Sequence, residues 1–266
     1  PVRRGLAASL AVFALIGTTG GAVYALTRYG PEIAGDPSLI DPPRIVCTGD
    51  SCKVPGHIRG VLYGDSHADR LRVPTIREAQ AFGVDLVLPP KADDGPLDFV
   101  IIHRLWAGRF QNFYHLYYDV DDTTDFKAIW EKKLAGYSDG GKRRLLVVGP
   151  VPVFDNWQAD CIYRAWRYGI DKDRCSTTRE RYERHARQQI DDLRDIVSHL
   201  PNARFIDVTG LFCDDRMCRA YIGDSLLMRD TDHLSTFGSD WFYSKIRHHM
   251  VWAMTGKDES AGLALH

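Results

Sequence analysis

Five short apolar runs punctuate the chain: GVLYG at 60–64, VDLVL at 84–88, DFVIIH at 98–103, RLLVVG at 144–149 and RFIDV at 204–208. None alternates strictly between apolar and polar positions, and β-branched residues are frequent in them. Runs of this kind suit strands covered on both faces. Between most of them lie longer segments of helical character, Ala68 to Phe82, Asp125 to Leu134 and Thr178 to Leu200, and a last one runs from Thr236 to Met254. Strands alternating with helices predict an α/β domain built on a mostly parallel five-stranded sheet, with helices on both faces, a three-layer α/β/α sandwich.

The N-terminal pattern is different. Leu6 to Leu26 carries no charge, and its 21 residues match the roughly 20 needed to cross a bilayer as a helix. Arg3 and Arg4 precede it, which places the N-terminus in the cytoplasm and everything after about residue 29 outside. A signal peptide ending at AVYA is the competing reading, and a buried core helix a third. Residues 29–58 are rich in Pro and Gly and read as a linker or extension, 59–256 as the main domain and 257–266 as a tail. A first residue of Pro rather than Met points to a piece of a longer protein.

Charge narrows the function classes. Lys and Arg total 34 against 35 acidic residues, so nothing builds the one-signed field that nucleic acid binding needs. The six cysteines fall into three close pairs, Cys47 with Cys52, Cys161 with Cys175 and Cys213 with Cys218. Export favours disulfides, and short loops close at the least entropic cost, so the three local pairings are expected. Zinc is the alternative, weakened by the absence of a neighbouring His pair; no metal site is expected.

Candidate chemistry sits at the two ends of the pattern. In VLYGDSHADRL, from Val61 to Leu71, an apolar run ends on Gly-Asp-Ser-His and a helical segment follows. A turn would use Gly and Asp for backbone reasons alone. A strand-to-helix turn is also where a nucleophile is held out at a sheet edge, and ligands in parallel sheets bind beyond the carboxyl ends of the strands. Ser66 therefore needs a base and an orienting acid. LLMRDTDHLSTFG, residues 226–238, supplies both: His233 with Asp230 three residues before it, and Ser235 as N-cap of the last helix. Asp230 can return to the imidazole Nδ1, leaving Nε2 to face a hydroxyl, whereas adjacent Asp232 is expected to point elsewhere. A solvated His beside a helix cap is the bland alternative.

Gly-Asp-Ser after the first strand and Asp-x-x-His before the last helix together resemble the GDSL/SGNH hydrolase superfamily over roughly residues 58–254. The resemblance implies a flavodoxin-like α/β/α fold and acyl-ester chemistry with Ser66 as nucleophile, His233 as general base and acid, and Asp230 as its orienter. The superfamily's usual Gly after the second strand and Asn after the third are missing: LPPK and HRLWAG stand there. The backbone N–H of Ser66, with Arg104 or Trp106, is left to form an oxyanion hole. A surface ion pair for Arg104 and a packed core aromatic for Trp106 are the alternatives, and His67 and His103 read as structural.

A narrower resemblance accounts for these departures. GDSHA, RLWA, VVGPVP, FCDDRMC and DTDHLSTFG are similar to the C-terminal exported domain of acyltransferase-3 enzymes, bacterial membrane proteins that O-acylate surface polysaccharide, including lipopolysaccharide O-antigen. That resemblance implies a bundle of membrane helices before Pro1, acetyl-CoA as its acyl source with no cofactor held by this domain, a location on the bacterial inner membrane facing the periplasm, and a surface glycan as acceptor. In VFDNWQADCIYRAWRYG, residues 153–169, Trp157 and Trp166 are candidate sugar-stacking residues; a disulfide-pinned lid is the other reading. The expected function is O-acyl transfer, with O-acetyl first, from a Ser66 ester to a glycan hydroxyl. The rivals are an exported carbohydrate esterase with the same triad and a non-catalytic glycan-binding domain.

Overall fold

A computed structural model describes residues 58–87, 96–106, 126–154 and 158–258. The apolar segment Leu6 to Leu26, the linker, Cys47, Cys52 and Trp157 lie outside the described residues; among those described, no helix is long and apolar enough to cross a membrane.

All five apolar runs form strands of one sheet. They are β1 (Ile58–Gly64), β2 (Val84–Val87), β3 (Phe99–His103), β4 (Arg144–Val148) and β6 (Ala203–Ile206). Their order is β2-β1-β3-β4-β6 and every pairing is parallel, so the sheet is wholly rather than mostly parallel. Register aligns the strand ends that matter: Gly64 pairs with His103 and His103 with Val148.

The lack of alternation now has its reason, because both faces are covered. Leu62, Phe99, Ile101, Leu146 and Val148 pack on one face against α1 (Ser66–Phe82) and α6 (Thr236–Thr255). The intervening Val61, Val100, Ile102, Leu145 and Val147 pack on the other against Trp130 and Leu134 of α2 (Phe126–Ser138) and Leu193, Ile196 and Val197 of α4 (Arg179–Ser198). Helix ends follow their capping chemistry. Asp65 caps α1 by accepting from the His67 N–H at 3.1 Å, and Gly83 ends it in the left-handed region at φ 63°. Ser235 caps α6, as the sequence indicates, and accepts from Gly238 N–H at 2.9 Å.

The remaining elements are smaller. The helix α3 (Gln158–Tyr168) forms within the aromatic segment that reads as a lid. Its buried Gln158, Ala159, Ile162 and Ala165 follow helical spacing, and a Cys161–Cys175 disulfide pins it to a 3₁₀ turn at Lys172–Cys175. Short ribbons pair β5 (Thr177–Thr178) with β7 (Met217–Cys218), and β8 (Tyr221–Ile222) with β9 (Ser225–Leu226); α5 (Thr209–Phe212) is one turn. The second expected bridge, Cys213–Cys218, is also formed, so neither pair is a zinc site.

Two glycines separate close packing from open space. At Gly238, in the first turn of α6, a Cβ would overlap the Leu227 carbonyl, whereas at Gly136, inside α2, it would meet nothing within 4 Å. Gly238→Ala should therefore cost about 3 kcal/mol or more of stability, since rigid backbone cannot give way. Gly136→Ala should stabilise by about 0.5–1 kcal/mol through helix propensity. Urea unfolding of the two variants checks both signs; equal effects would mean the two sites are not packed as described.

Candidate active site

The turn after β1 is built by close approach and by one carboxylate. Gly64 presses against the chain leaving β3 so tightly that a Cβ would overlap the His103 carbonyl. The next residue, Asp65, is extended, and its Oδ1 accepts from the His67 N–H at 3.1 Å. The Leu105 N–H donates to both oxygens of the same carboxylate at 3.1–3.2 Å, and Arg104 Nε stands 3.8 Å away. Asp65 thus ties the start of α1 to the segment after β3. Ser66, the first residue of α1, is exposed at the C-terminal edge of the sheet, and its N–H is one of the helix donors with no intrahelical partner.

The other half of the site is a loop that folds on itself. Arg229 N–H donates to the His233 carbonyl at 2.8 Å, Ser235 N–H donates to that of Leu227 at 2.9 Å, and Met228 bridges Leu234. Inside it, Asp230 Oδ1 accepts from the backbone N–H of His233 at 2.8 Å and of Asp232 at 3.2 Å. The same oxygen faces His233 Nδ1 at 2.9 Å, so a proton on Nδ1 donates to it. That tautomer leaves Nε2 as an acceptor, and Ser66 Oγ lies 2.7 Å from it. The structure therefore brings the three sequence-selected residues into one continuous chain of hydrogen bonds.

Electrostatics favour a basic imidazole. Burial alone would depress the His233 pKa, but the Asp230 hydrogen bond and the charges of Asp232 and Asp230 outweigh it and raise the value above its usual 6.5. For Asp230, burial opposes ionisation. The hydrogen bonds and charge of His233, with the backbone donors, still hold its carboxyl well below the usual carboxylate range. The Arg229 guanidinium adds a contact at 3.3–3.4 Å to Oδ2.

Asp232 corrects one expectation, because it does not turn away from the site. Its Oδ1 is 3.5 Å from His233 Nδ1 and accepts from Thr231 Oγ1 at 2.8 Å, while its Oδ2 faces His67 Nε2 at 3.3 Å. Its contacts with Thr231 and His67 hold the side chain there. His67 is 2% exposed and stacks near the His233 ring at 5.1 Å, so a second His–Asp pair backs the first. Neither the Asp65 tie nor this pair was found from sequence; an Asp immediately before a helix start is the one available signal for the former. His103 is structural as expected: burial, then the nearby His67, lowers its pKa to about 3, and the neutral ring packs edge-on to His67.

The other candidates part company. Trp106 is buried, its indole N–H donates to the Val148 carbonyl at 2.7 Å, and its ring packs edge-on to Trp130, so this side chain is a core aromatic rather than an oxyanion donor. Arg104, half-buried, lies over the Trp130 ring at 5.0 Å beside Asp65, and its guanidinium makes no hydrogen bond among the described residues. Trp166 is 73% exposed on α3. Ligand atoms of His67, Asp232 and His233 lie within 4.8 Å of one another, the one grouping among the described residues of a size to hold a cation; each already has a protein partner.

Comparison with curated protein sequences finds no match. A solved structure, the lipopolysaccharide acetyltransferase periplasmic domain of Salmonella ser. Paratyphi A, superposes with a TM-score of 0.53 at 18% identity, covering 86% of this chain and 97% of that one. Likeness at that identity establishes a shared fold. The family model described as SGNH domain (fused to AT3 domains) matches residues 87–247, more than half of the chain, including Asp230 and His233 but starting after Ser66. The match assigns this chain to the family of SGNH domains fused to AT3 domains, and the five-stranded parallel sheet agrees with it.

Proposed function

We propose that the domain is an O-acyltransferase, with acetyl as the first group to test, that passes an acyl group through Ser66 to a hydroxyl of a bacterial surface polysaccharide. The observation that carries this reading is the 2.7 Å contact of Ser66 Oγ with His233 Nε2, continued by 2.9 Å from Nδ1 to Asp230. In the first half-reaction Ser66 Oγ attacks the acyl carbonyl while its proton passes to His233 Nε2. The tetrahedral intermediate collapses, and the departing group leaves with that proton. In the second, His233 takes the proton of an acceptor hydroxyl as its oxygen attacks the acyl-Ser66 ester, then returns it to Ser66 Oγ. Asp230 holds the ring in the required tautomer and stabilises the imidazolium. The Ser66 N–H, at the positive end of α1, is the first donor to a developing oxyanion, and Arg104, which pairs with Asp65 at 3.8 Å and lies over Trp130, is the cation offered by the segment after β3.

Fusion to AT3 domains within the family supports a transferase rather than a free-standing esterase. In this reading the segment before the domain is anchored in the bacterial inner membrane, and the domain faces the periplasm. A membrane-helix bundle of the same protein delivers the acyl group from cytoplasmic acetyl-CoA. A triad with every hydrogen bond in place speaks against a purely binding role.

Ser66→Ala should lower hydrolysis of p-nitrophenyl acetate by about 10⁴-fold or more without changing thermal unfolding, as loss of a triad nucleophile does elsewhere. Supplying a glycan acceptor to the active protein should yield an acylated sugar in a product assay. Rapid deacetylation of acetylated glycans with no acylation at any acceptor concentration would make the domain an esterase.

The pH dependence has a definite sign. His233 must be neutral to act as base, and its pKa lies above 6.5, so the acid limb of kcat/KM should fall above pH 6.5. Asp230→Asn removes the charge that raises it, so the limb should move down while the rate falls by about 10⁴-fold. A pH–rate profile with a histidine NMR titration reads both. A wild-type limb at or below 6.5 would contradict the electrostatics described.

A further inference from the structure

The C-terminal end of α3 and the residues just after it are not accounted for by packing. Trp166 in the last turn is 73% exposed, Tyr168 at its end 66% and Ile170 just beyond it 42%, a concentration of large side chains that a domain normally covers. The face is nonetheless rigid. Ile162, Ala165 and Cys175 form a small buried cluster beneath it, the Cys161–Cys175 disulfide crosses it, and Trp166 rests against Tyr163 at 6.0 Å. Beside it lies a cleft of about 320 Å³ lined by Asp160, Cys161, Arg164, Ile170, Asp171 and Arg174.

The polar groups around that cleft are unevenly committed. The Asp171 carboxylate accepts from the Asp173 N–H at 2.9 Å, and Asp160 has one oxygen fully buried. Asp173 is held by Tyr221 at 2.7 Å and Arg219 at 3.1 Å. By contrast, the guanidiniums of Arg164, Arg167 and Arg174 make no ion pair or hydrogen bond among the described residues, and Arg164 and Arg167 are exposed. Asp160 is half-buried and the exposed Asp171 has one oxygen taken up by its own turn, so three guanidiniums without a protein partner among the described residues outnumber the open carboxylates around the cleft. Planar forks of this kind suit carboxylates and phosphates, and aromatic faces suit the apolar faces of sugar rings.

The start of α3 is also fixed to the triad loop. The Ala159 N–H donates to the Arg229 carbonyl at 3.2 Å, and the Phe154 N–H just before it donates to that of Thr231 at 2.7 Å. A ligand seated on α3 therefore sits on an element anchored to the residues flanking Asp230. We infer that this cleft and its aromatic rim form an acceptor subsite for an anionic glycan, whose acidic sugar is held by Arg164 and Arg174 while a ring stacks on Trp166. This deepens the transferase reading and rests on it. A lipid surface would use the aromatic rim but leave the concave, disulfide-braced cleft unfilled.

The test measures binding of the full 266-residue chain to an oligogalacturonate and to a neutral maltooligosaccharide of equal length, by calorimetry at low and moderate salt. The charged oligosaccharide should bind, and more weakly as salt rises. Arg164→Gln with Arg174→Gln, and separately Trp166→Ala, should each weaken that binding about tenfold or more, while p-nitrophenyl acetate hydrolysis stays within about twofold of wild type. Equal binding of neutral and charged oligosaccharides, or unchanged binding in both variants, would overturn the subsite. Binding to phosphatidylglycerol vesicles that the same variants abolish, with no oligosaccharide binding, would assign the face to a membrane instead. Ser66→Ala separates the two proposals: hydrolysis surviving that change removes the acyl-enzyme reading and leaves the binding result standing, whereas lost hydrolysis with no charge preference removes only the subsite.

Discussion

The contact between Ser66 and His233 is the constraint that the packing of the rest of the domain has to meet. Its two ends come from opposite ends of the described chain, one just past the first strand and one just before the last helix. They meet because α1 and α6 lie side by side on one face of the sheet, sharing Leu71, Ile76, Phe242 and Ile246 in a single core. Small residues set the clearance: Gly64 lets the turn sit on the His103 carbonyl and Gly238 lets α6 begin against Leu227. A hydrogen bond under 3 Å tolerates little error, so the accuracy of the site derives from the rigidity of packed helices and backbone contacts rather than from the loop alone.

Asp65 performs a similar service on the Ser66 side. One carboxylate gathers the N–H groups of His67 and Leu105, and so joins the first and third strand ends across the sheet. On the His233 side, one oxygen of Asp230 gathers three donors from its own loop, and Asp232 bridges that loop to His67. Each half of the site thus has its own acidic hub, and the His67–Asp232 contact fastens the halves together behind Ser66 and His233.

What the sequence revealed divides along physical lines. Strands buried on both faces announce themselves as unbroken apolar runs, and all five were legible. Gly-Asp-Ser and Asp-x-x-His were legible because their geometry is local: a turn and a cap place Ser66, and a three-residue spacing places Asp230 on Nδ1. The role of Trp106 depends on Val148, and that of Asp232 on His67 far away in the chain, so neither could be read from neighbours. The helix α3 was within reach, since Gln158, Ile162 and Ala165 repeat at helical spacing, but its aromatic content drew the reading toward a lid. Two-residue ribbons such as β5 with β7 carry no period at all.

The self-closure of the Asp230–His233 loop has a consequence for the order in which the domain matures. Its ties run among neighbours, from Leu226 to Gly238, and contacts of such short span form within microseconds. Docking α1 beside α6 must wait for almost the whole chain and for a parallel sheet, whose long-range pairings form slowly. A nascent or partly opened domain can therefore hold an oriented imidazole with no hydroxyl in front of it, or a hydroxyl with no base. The 2.7 Å junction of Ser66 with His233 is made only in the last, global step, so a partly folded chain holds the two halves of the site without the contact that joins them.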